Sequence, residues 1–228
     1  METIILAWWK WERLLPITNH TPKPLIKVWG LTLIQRIIDQ IPNERSEILI
    51  VIRHLWEEII NVLWNEQKWK KITYVKQDEN MLWTMWALYA CKDHIKTDKS
   101  LLVISSDNIY ADYDIKNLST VPNSILIYKA QIEEILNTPL SKYWNSVLSN
   151  WLSKIDHKSK YINTGAYNFS SEIFSIKPEL LPWSSEYSLP HTLLKLLNQK
   201  KYNFLFTDYW WSVWNHEELD YVTKIFNE

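Results

Sequence analysis

The chain has almost no glycine: two residues, Gly30 and Gly165, in 228. An ordinary globular chain carries roughly 7%. A fold of this length needs glycine wherever a turn demands positive φ, which only glycine adopts without steric cost. Cysteine is scarcer still, with Cys91 alone. That excludes a disulfide framework and suits a reducing compartment. Excess charge is missing too: 25 basic against 26 acidic residues leave −1. No polyanion-attracting field results, so nucleic acid is not an expected partner. No stretch approaches the ~20 apolar residues of a membrane span. Met1-Glu2-Thr3 lacks the basic start of a secretory leader, and no internal repeat is visible. A cytoplasmic protein with no membrane partner is expected.

What stands in place of glycine is tryptophan, with 15 residues. Relabelling all but two of them restores glycine to about 7%, the usual share. The positions agree. Trp29 precedes Gly30 in a turn, Trp56, Trp64 and Trp69 fall at helix or loop boundaries, and Trp83 and Trp86 flank Thr84 in LWTMWAL. The expectation is a gene that uses UGA for glycine, read with a table that assigns tryptophan. Trp214 belongs to the converted set, whereas at least one of Trp210 and Trp211 is a true tryptophan.

A chain of 228 residues suits one α/β domain with an ample core. Thr3–Ala7, Glu47–Ile52, Ile72–Lys76 and Leu101–Ser105 read as strands, the second (EILIVI) a continuous apolar run buried on both faces. Helical periodicity marks Leu31–Ile41, ended by Pro42, then Glu57–Leu63 and Thr84–Cys91. This alternation predicts a doubly wound, mostly parallel Rossmann-like sheet. After Pro122 the pattern loosens. Ser124–Tyr128, Tyr161–Phe169 (interrupted at Thr164-Gly165) and Tyr202–Thr207 read as strands. Ile132–Leu136, Leu189–Leu197 and His216–Phe226 read as helical, and Val147–Ile155 as a weak hairpin segment. One domain is expected over 1–228, with a first half (1–121) and a second half (122–228) joined without a linker.

The chemistry concentrates in Ile4 to Leu25, IILAWWKWERLLPITNHTPKPL. A buried strand leads into a loop, then Arg13, and ten residues later Lys23 between two prolines. Open sheets bind ligands beyond the carboxyl ends of their strands. A glycine-rich turn there aims backbone N–H groups at phosphate oxygens. With glycine at 8, 9 and 11 the stretch becomes LAGGKGERL followed by Lys23-Pro24. It resembles the signature of the sugar-1-phosphate nucleotidyltransferases (NDP-sugar pyrophosphorylases), LAGGxGxRLxPLT…PKPL.

That resemblance implies the joining of a sugar 1-phosphate to an NTP with release of pyrophosphate, in the short, single-domain form of the family. It assigns the nucleotide to Leu6, Ala7, Trp8, Trp9, Trp11, Arg13 and Lys23. Arg13 would clamp the departing pyrophosphate with its planar fork, and Lys23 would neutralise charge around the α-phosphate. Asp107, closing LLVISSD, would hold Mg²⁺, a hard cation that uses few carboxylates plus phosphates; the family has glycine where Ser106 stands. The family's second metal carboxylate is replaced by Ser212, which leaves Asp208 as the candidate. Gln77, Trp83 and Thr84 resemble the base-reading Q…LGTAGAL, favouring UTP or dTTP, with GTP as the alternative. For the sugar phosphate the resemblance points to Trp144, Asn163, Gly165 and Lys158, the last preferred over Lys160 in DHKSKY. Arg13, Lys23 and Asp107 would be the catalytic set. A nucleotide-sugar-dependent glycosyltransferase, a phosphocholine-type cytidylyltransferase and a non-catalytic nucleotide-binding relative are the alternatives. The histidines show no metal-ligand spacing, and no GxSxG occurs.

Overall fold

The apolar run at the start of the chain becomes the middle of a sheet, since a strand with parallel neighbours and layers on both faces leaves no side chain for water. In this computed structural model the described residues are 2–9, 12–81, 83–96, 100–131, 159–181, 185–199 and 201–225. The elements run β1 (Glu2–Ala7), β2 (Lys27–Val28), β3 (Leu31–Thr32), α1 (Leu33–Gln40), β4 (Glu47–Ile52), α2 (Trp56–Leu63), β5 (Glu66–Gln67), β6 (Lys70–Lys76) and α3 (Thr84–Tyr89). They continue β7 (Leu101–Ser105), β8 (Asn108–Tyr110), α4 (Asp114–Thr120), β9 (Ser124–Gln131), β10 (Ser159–Phe169), α5 (Leu189–Gln199), β11 (Asn203–Thr207), β12 (Trp210–Ser212) and α6 (His216–Lys224).

Eight strands form the main sheet in the order β11-β9-β10-β7-β1-β4-β6-β5. β1 is parallel to β4 on one side and β7 on the other, and β4 is parallel to β6. β10 is antiparallel to both β7 and β9, and β11 runs parallel to β9. The fold is thus a mixed, mostly parallel α/β sheet of the Rossmann-like kind.

Alternation along β1 sorts its side chains onto two faces. Ile4 and Leu6 join a core with Met85 and Leu88 of α3 and Leu193 and Leu196 of α5. Ile5 and Ala7 join the opposite core with Ile34 and Ile37 of α1, Ile59 and Leu63 of α2, and Ile115 and Leu118 of α4. α1 starts at Thr32, whose hydroxyl accepts from the Gln35 N–H while the Gln35 side chain returns to the Thr32 N–H. This reciprocal cap starts the helix at Leu33, two residues later than the predicted Leu31, which belongs to the small β2–β3 hairpin.

A third core, built from Leu14, Ile26, Val28, Ile109, Val213 and Val222, lies beneath the loop that follows β1. Here the structure adds a feature the sequence pattern did not announce. β12 pairs antiparallel with β8, placing Ser212 opposite Asn108. β10 is one eleven-residue strand, with a register irregularity between Asn163 and Tyr167. The stretches read as Ile132–Leu136 and Val147–Ile155 lie outside the described residues. Among the described residues no helix is long and apolar enough to cross a membrane.

Candidate active site

β1 and β7 lie side by side, yet the chain leaves them in opposite lateral directions, β1 toward β4 and β7 toward β10. Their carboxyl ends therefore frame the crevice where such sheets hold ligands. Ser106 fastens the two ends: its N–H and Oγ both donate to Leu6 O, at 3.2 and 2.8 Å. Asp107 follows immediately. Lys23 arrives from the short 3-10 turn Lys23–Leu25, set between Pro22 and Pro24, and is 1% exposed. Its Nζ donates to Asp107 Oδ2 at 3.0 Å. Burial pulls the Lys23 ammonium down to about 8, with Asp107 and then Glu218 working against that fall.

Asp107 is held from several sides. Its Oδ1 accepts from Asn108 Nδ2 at 3.0 Å, and Oδ2 accepts from Trp214 Nε1 at 2.9 Å. Arg13 sits exposed on its own 3-10 turn, its guanidinium 6.0 Å from the Trp214 ring centre. A cavity of about 860 Å³ opens over these groups. Of the residues singled out from sequence, its wall contains Leu6, Ala7, Trp8, Trp9, Arg13, Trp83, Thr84, Asp107, Asn163 and Gly165. Lys23 reaches the same place from beneath, through Asp107. Trp11, Trp144 and Lys158 lie outside the described residues.

Two other residues singled out from sequence are not part of the cavity wall. Asp208 is exposed in the turn between β11 and β12, four residues before Ser212, which is the residue facing Asn108. Its electrostatic neighbour is Asp114. Gln77 is buried and absent from the cavity wall. Its amide donates to Met81 O and Trp83 O, so it shapes the loop before α3. Its Oε1 is buried with no hydrogen-bond partner.

The structure also supplies residues that sequence reading passed over. Asn108 lies directly beyond Asp107, buried, with Nδ2 donating to Thr164 O at 3.0 Å and Oδ1 without a partner. The signal was present in SDN. Glu186 and Ser188 enter the wall from a loop of the second half, and nothing in SSEYS announces them. Gly165 is required where β10 passes β7: a Cβ there would lie 2.7 Å from Ser105 Oγ, and φ is +77°.

Backbone geometry bears on the tryptophans. Among the described residues, Trp29, Trp64, Trp69 and Trp83 all have positive φ, at 50°, 55°, 66° and 85°. Trp83 (ψ 161°) and Trp64 (ψ −157°) combine it with extended ψ, a region that is essentially glycine's own. Trp64 and Trp69 are 73% and 90% exposed, so no packing offsets the strain. Trp8 is buried, and the Trp9 ring lies 5.2 Å from that of Trp83; these indoles occupy the crevice itself.

Could a metal be held here? Asp107 and the unpartnered Asn108 Oδ1 are both oxygen donors, the kind Mg²⁺ accepts before completing its shell with phosphate and water. Among the described residues no group of three His, Cys, Asp or Glu converges. The oxygen pair therefore fits a metal that arrives with its substrate.

Residues 2–124 match the family model described as Nucleotidyl transferase. The chain is 32% identical over 219 residues to the "Bifunctional protein GlmU" of Methanococcus vannielii, covering 92% of this chain and 51% of that one. It thus spans about half the length of that curated relative. It is 27% identical over 186 residues to the "UTP--glucose-1-phosphate uridylyltransferase AglF" of Haloferax volcanii, covering 76% of this chain and 74% of that protein. In architecture it matches a putative glucose-1-phosphate thymidylyltransferase from Bacillus anthracis, with a TM-score of 0.77 at 22% identity over 99% of this chain and 94% of the other.

Proposed function

The chain belongs to the nucleotidyl transferase family, and from that premise we propose that it joins a sugar 1-phosphate to a nucleoside triphosphate. A phosphate oxygen of the sugar phosphate attacks the α-phosphorus. The bond from that phosphorus to the bridging oxygen breaks, and pyrophosphate leaves with the electron pair. Such transfer depends on in-line positioning and charge neutralisation more than on a protein nucleophile. The observation that carries the reading is the buried Lys23–Asp107 pair at the ends of β1 and β7, opening on the cavity.

Roles follow from placement. Lys23, held at the strand ends, is the cation for charge building on the α-phosphate. Arg13, exposed at the rim, suits the departing pyrophosphate with its bidentate fork. Asp107 and Asn108 would hold Mg²⁺, which when bound supplies neutralisation of the triphosphate oxygens. Asn163 and Gly165, on β10, belong to the sugar-phosphate end, and Trp83 and Thr84, at the start of α3, to the base. UTP or dTTP is the preferred triphosphate, with GTP the alternative. On this reading Gln77 fixes the loop against which the base lies. Residues 1–121 serve the nucleotide and 122–228 the acceptor.

The reading includes glycine at most of the tryptophan positions. Positive φ at Trp29, Trp64, Trp69 and Trp83 supports it, as do the indoles standing where a triphosphate should meet bare main chain. Two measurements test the proposal. Peptide mass spectrometry of the protein from its own cells should find glycine at 8, 9 and 83; tryptophan there ends the recoding. The chain made with glycine at those positions should release pyrophosphate from an NTP and a hexose 1-phosphate, with Mg²⁺ present. No release across four NTPs and a sugar-phosphate panel would sink the activity.

A further inference from the structure

The segment around Glu186 belongs to the second half of the chain but is fastened to the first. Leu180 and Tyr187 form an antiparallel bridge, and Leu181 N–H donates to Glu186 O at 2.8 Å, folding the segment back on itself. Two bonds then pin it to the first turn of α3. Met85 N–H donates to Tyr187 O at 3.1 Å, and Leu189 N–H donates to Thr84 Oγ1 at 2.9 Å. The Tyr187 ring turns away onto Trp86, at 5.4 Å between centres. Its two neighbours, Glu186 and Ser188, line the cavity. The Glu186 main chain is held between its own carbonyl, bonded to Leu181 N–H, and the Tyr187 pin beside it.

A carboxyl in that wall restricts what can lie beside it. Burial raises its proton affinity above the ordinary glutamate range, and the ionised form can only accept hydrogen bonds, through up to about four lone-pair directions. Phosphate oxygens carry no donor and would be repelled; they belong with Lys23 and Arg13 at the ends of β1 and β7. The neutral part of the ligand must face Glu186, and a sugar ring presents hydroxyl donors. A carboxylate likewise takes a ribose 2′-hydroxyl in other open α/β sheets.

We propose that Glu186, pinned over α3 by Tyr187 and Leu189, is a specificity-determining residue that accepts hydrogen bonds from hydroxyls of a sugar ring in the cavity. This rests on the nucleotidyl-transfer reading above. The ring is the ribose of the triphosphate or the hexose of the sugar phosphate, and the two are separated by experiment. Calorimetric affinities of the full chain would be measured for UTP and 2′-deoxy-UTP, and for glucose 1-phosphate and its singly deoxygenated analogues. Glu186→Ala and Glu186→Gln would be measured alongside.

The wild-type chain should prefer a hydroxylated ligand over its deoxy partner by about tenfold or more, the scale of a hydrogen bond to a charged group. Glu186→Ala should reduce that ratio to near one in one arm and leave the other arm unchanged; the arm that collapses identifies the ring. Should Glu186→Ala fail to fold, the isosteric Glu186→Gln must still lower the ratio. A wild-type chain indifferent to every hydroxyl overturns the proposal, and so do variants that keep the full preference in both arms. A wild-type chain that binds these ligands and shows the preference, yet releases no pyrophosphate, sinks the catalytic reading and leaves the role of Glu186 standing.

Discussion

Two buried cations sit near opposite ends of the same central strands, and they are held differently. Arg45 is 1% exposed and donates to Glu2 O, to Ser100 O and Oγ, and to Ser119 O. Its planar fork spreads over main-chain carbonyls, tying the start of β1 to the lead-in of β7 and the end of α4. Lys23, equally buried, meets a carboxylate at the edge of a cavity. Burial lowers both, Arg45 to about 10 and Lys23 to about 8. The difference lies in what can replace their partners. Arg45 is enclosed among main-chain carbonyls, whereas on the proposed reading Asp107 would also hold Mg²⁺ and Lys23 would face a phosphate oxygen. On that reading one cation is a rivet and the other a reagent.

Substitution should separate the two. The largest expected effect is on rate: Lys23→Ala should lower turnover by about a hundredfold or more while a thermal melt still shows a folded domain. Unchanged pyrophosphate release would break the contrast. Arg45→Ala should act on stability, by about 3–5 kcal/mol, because several buried carbonyls lose their donor. Turnover per folded molecule should stay unchanged, measured by chemical denaturation beside an assay at low temperature.

Asp114 sharpens the comparison, as a buried charge held by neutral donors. It accepts from Ala111 N–H and Thr207 Oγ1 at 3.0 and 2.8 Å, yet burial still raises it from 3.8 to about 6. A raised acid keeps in the fold a proton the unfolded chain has released. Stability should therefore fall as pH climbs from about 4 to about 6 and stay lower above. Asp114→Asn, which retains an acceptor, should be more stable at pH 8 by on the order of 2 kcal/mol, with the gain gone below pH 4. Melting curves at the two pH values decide it. The smallest effect belongs to a site with no buried charge: Trp69→Gly, exposed at φ 66°, should add about 1 kcal/mol by removing left-handed strain.

Much of the architecture could be read before folding, because β1, β4 and β7 are unbroken apolar runs and α1 carries its own cap. The loop carrying Arg13 and Lys23 was legible by spacing. Asp208 was not, since its distance from Asp107 depends on the register of β12 against β8, and a three-residue strand has no periodicity to reveal it. The surroundings of Gln77 were hidden for a related reason: two carbonyls of a nearby loop set the direction of its amide. Glu186 was invisible because its place depends on pins to α3, 105 residues away in the Leu189–Thr84 bond.

The seam between β7 and β10 has a mechanical consequence. Four residue pairs, from Ala166–Ile104 to Phe169–Leu101, join the two halves through main-chain bonds inside one ladder. A jaw-like swing of one half against the other would tear that ladder. On the proposed reading, admission and release of ligands would fall to the loops at its rim, with the sheet serving as a stationary anvil.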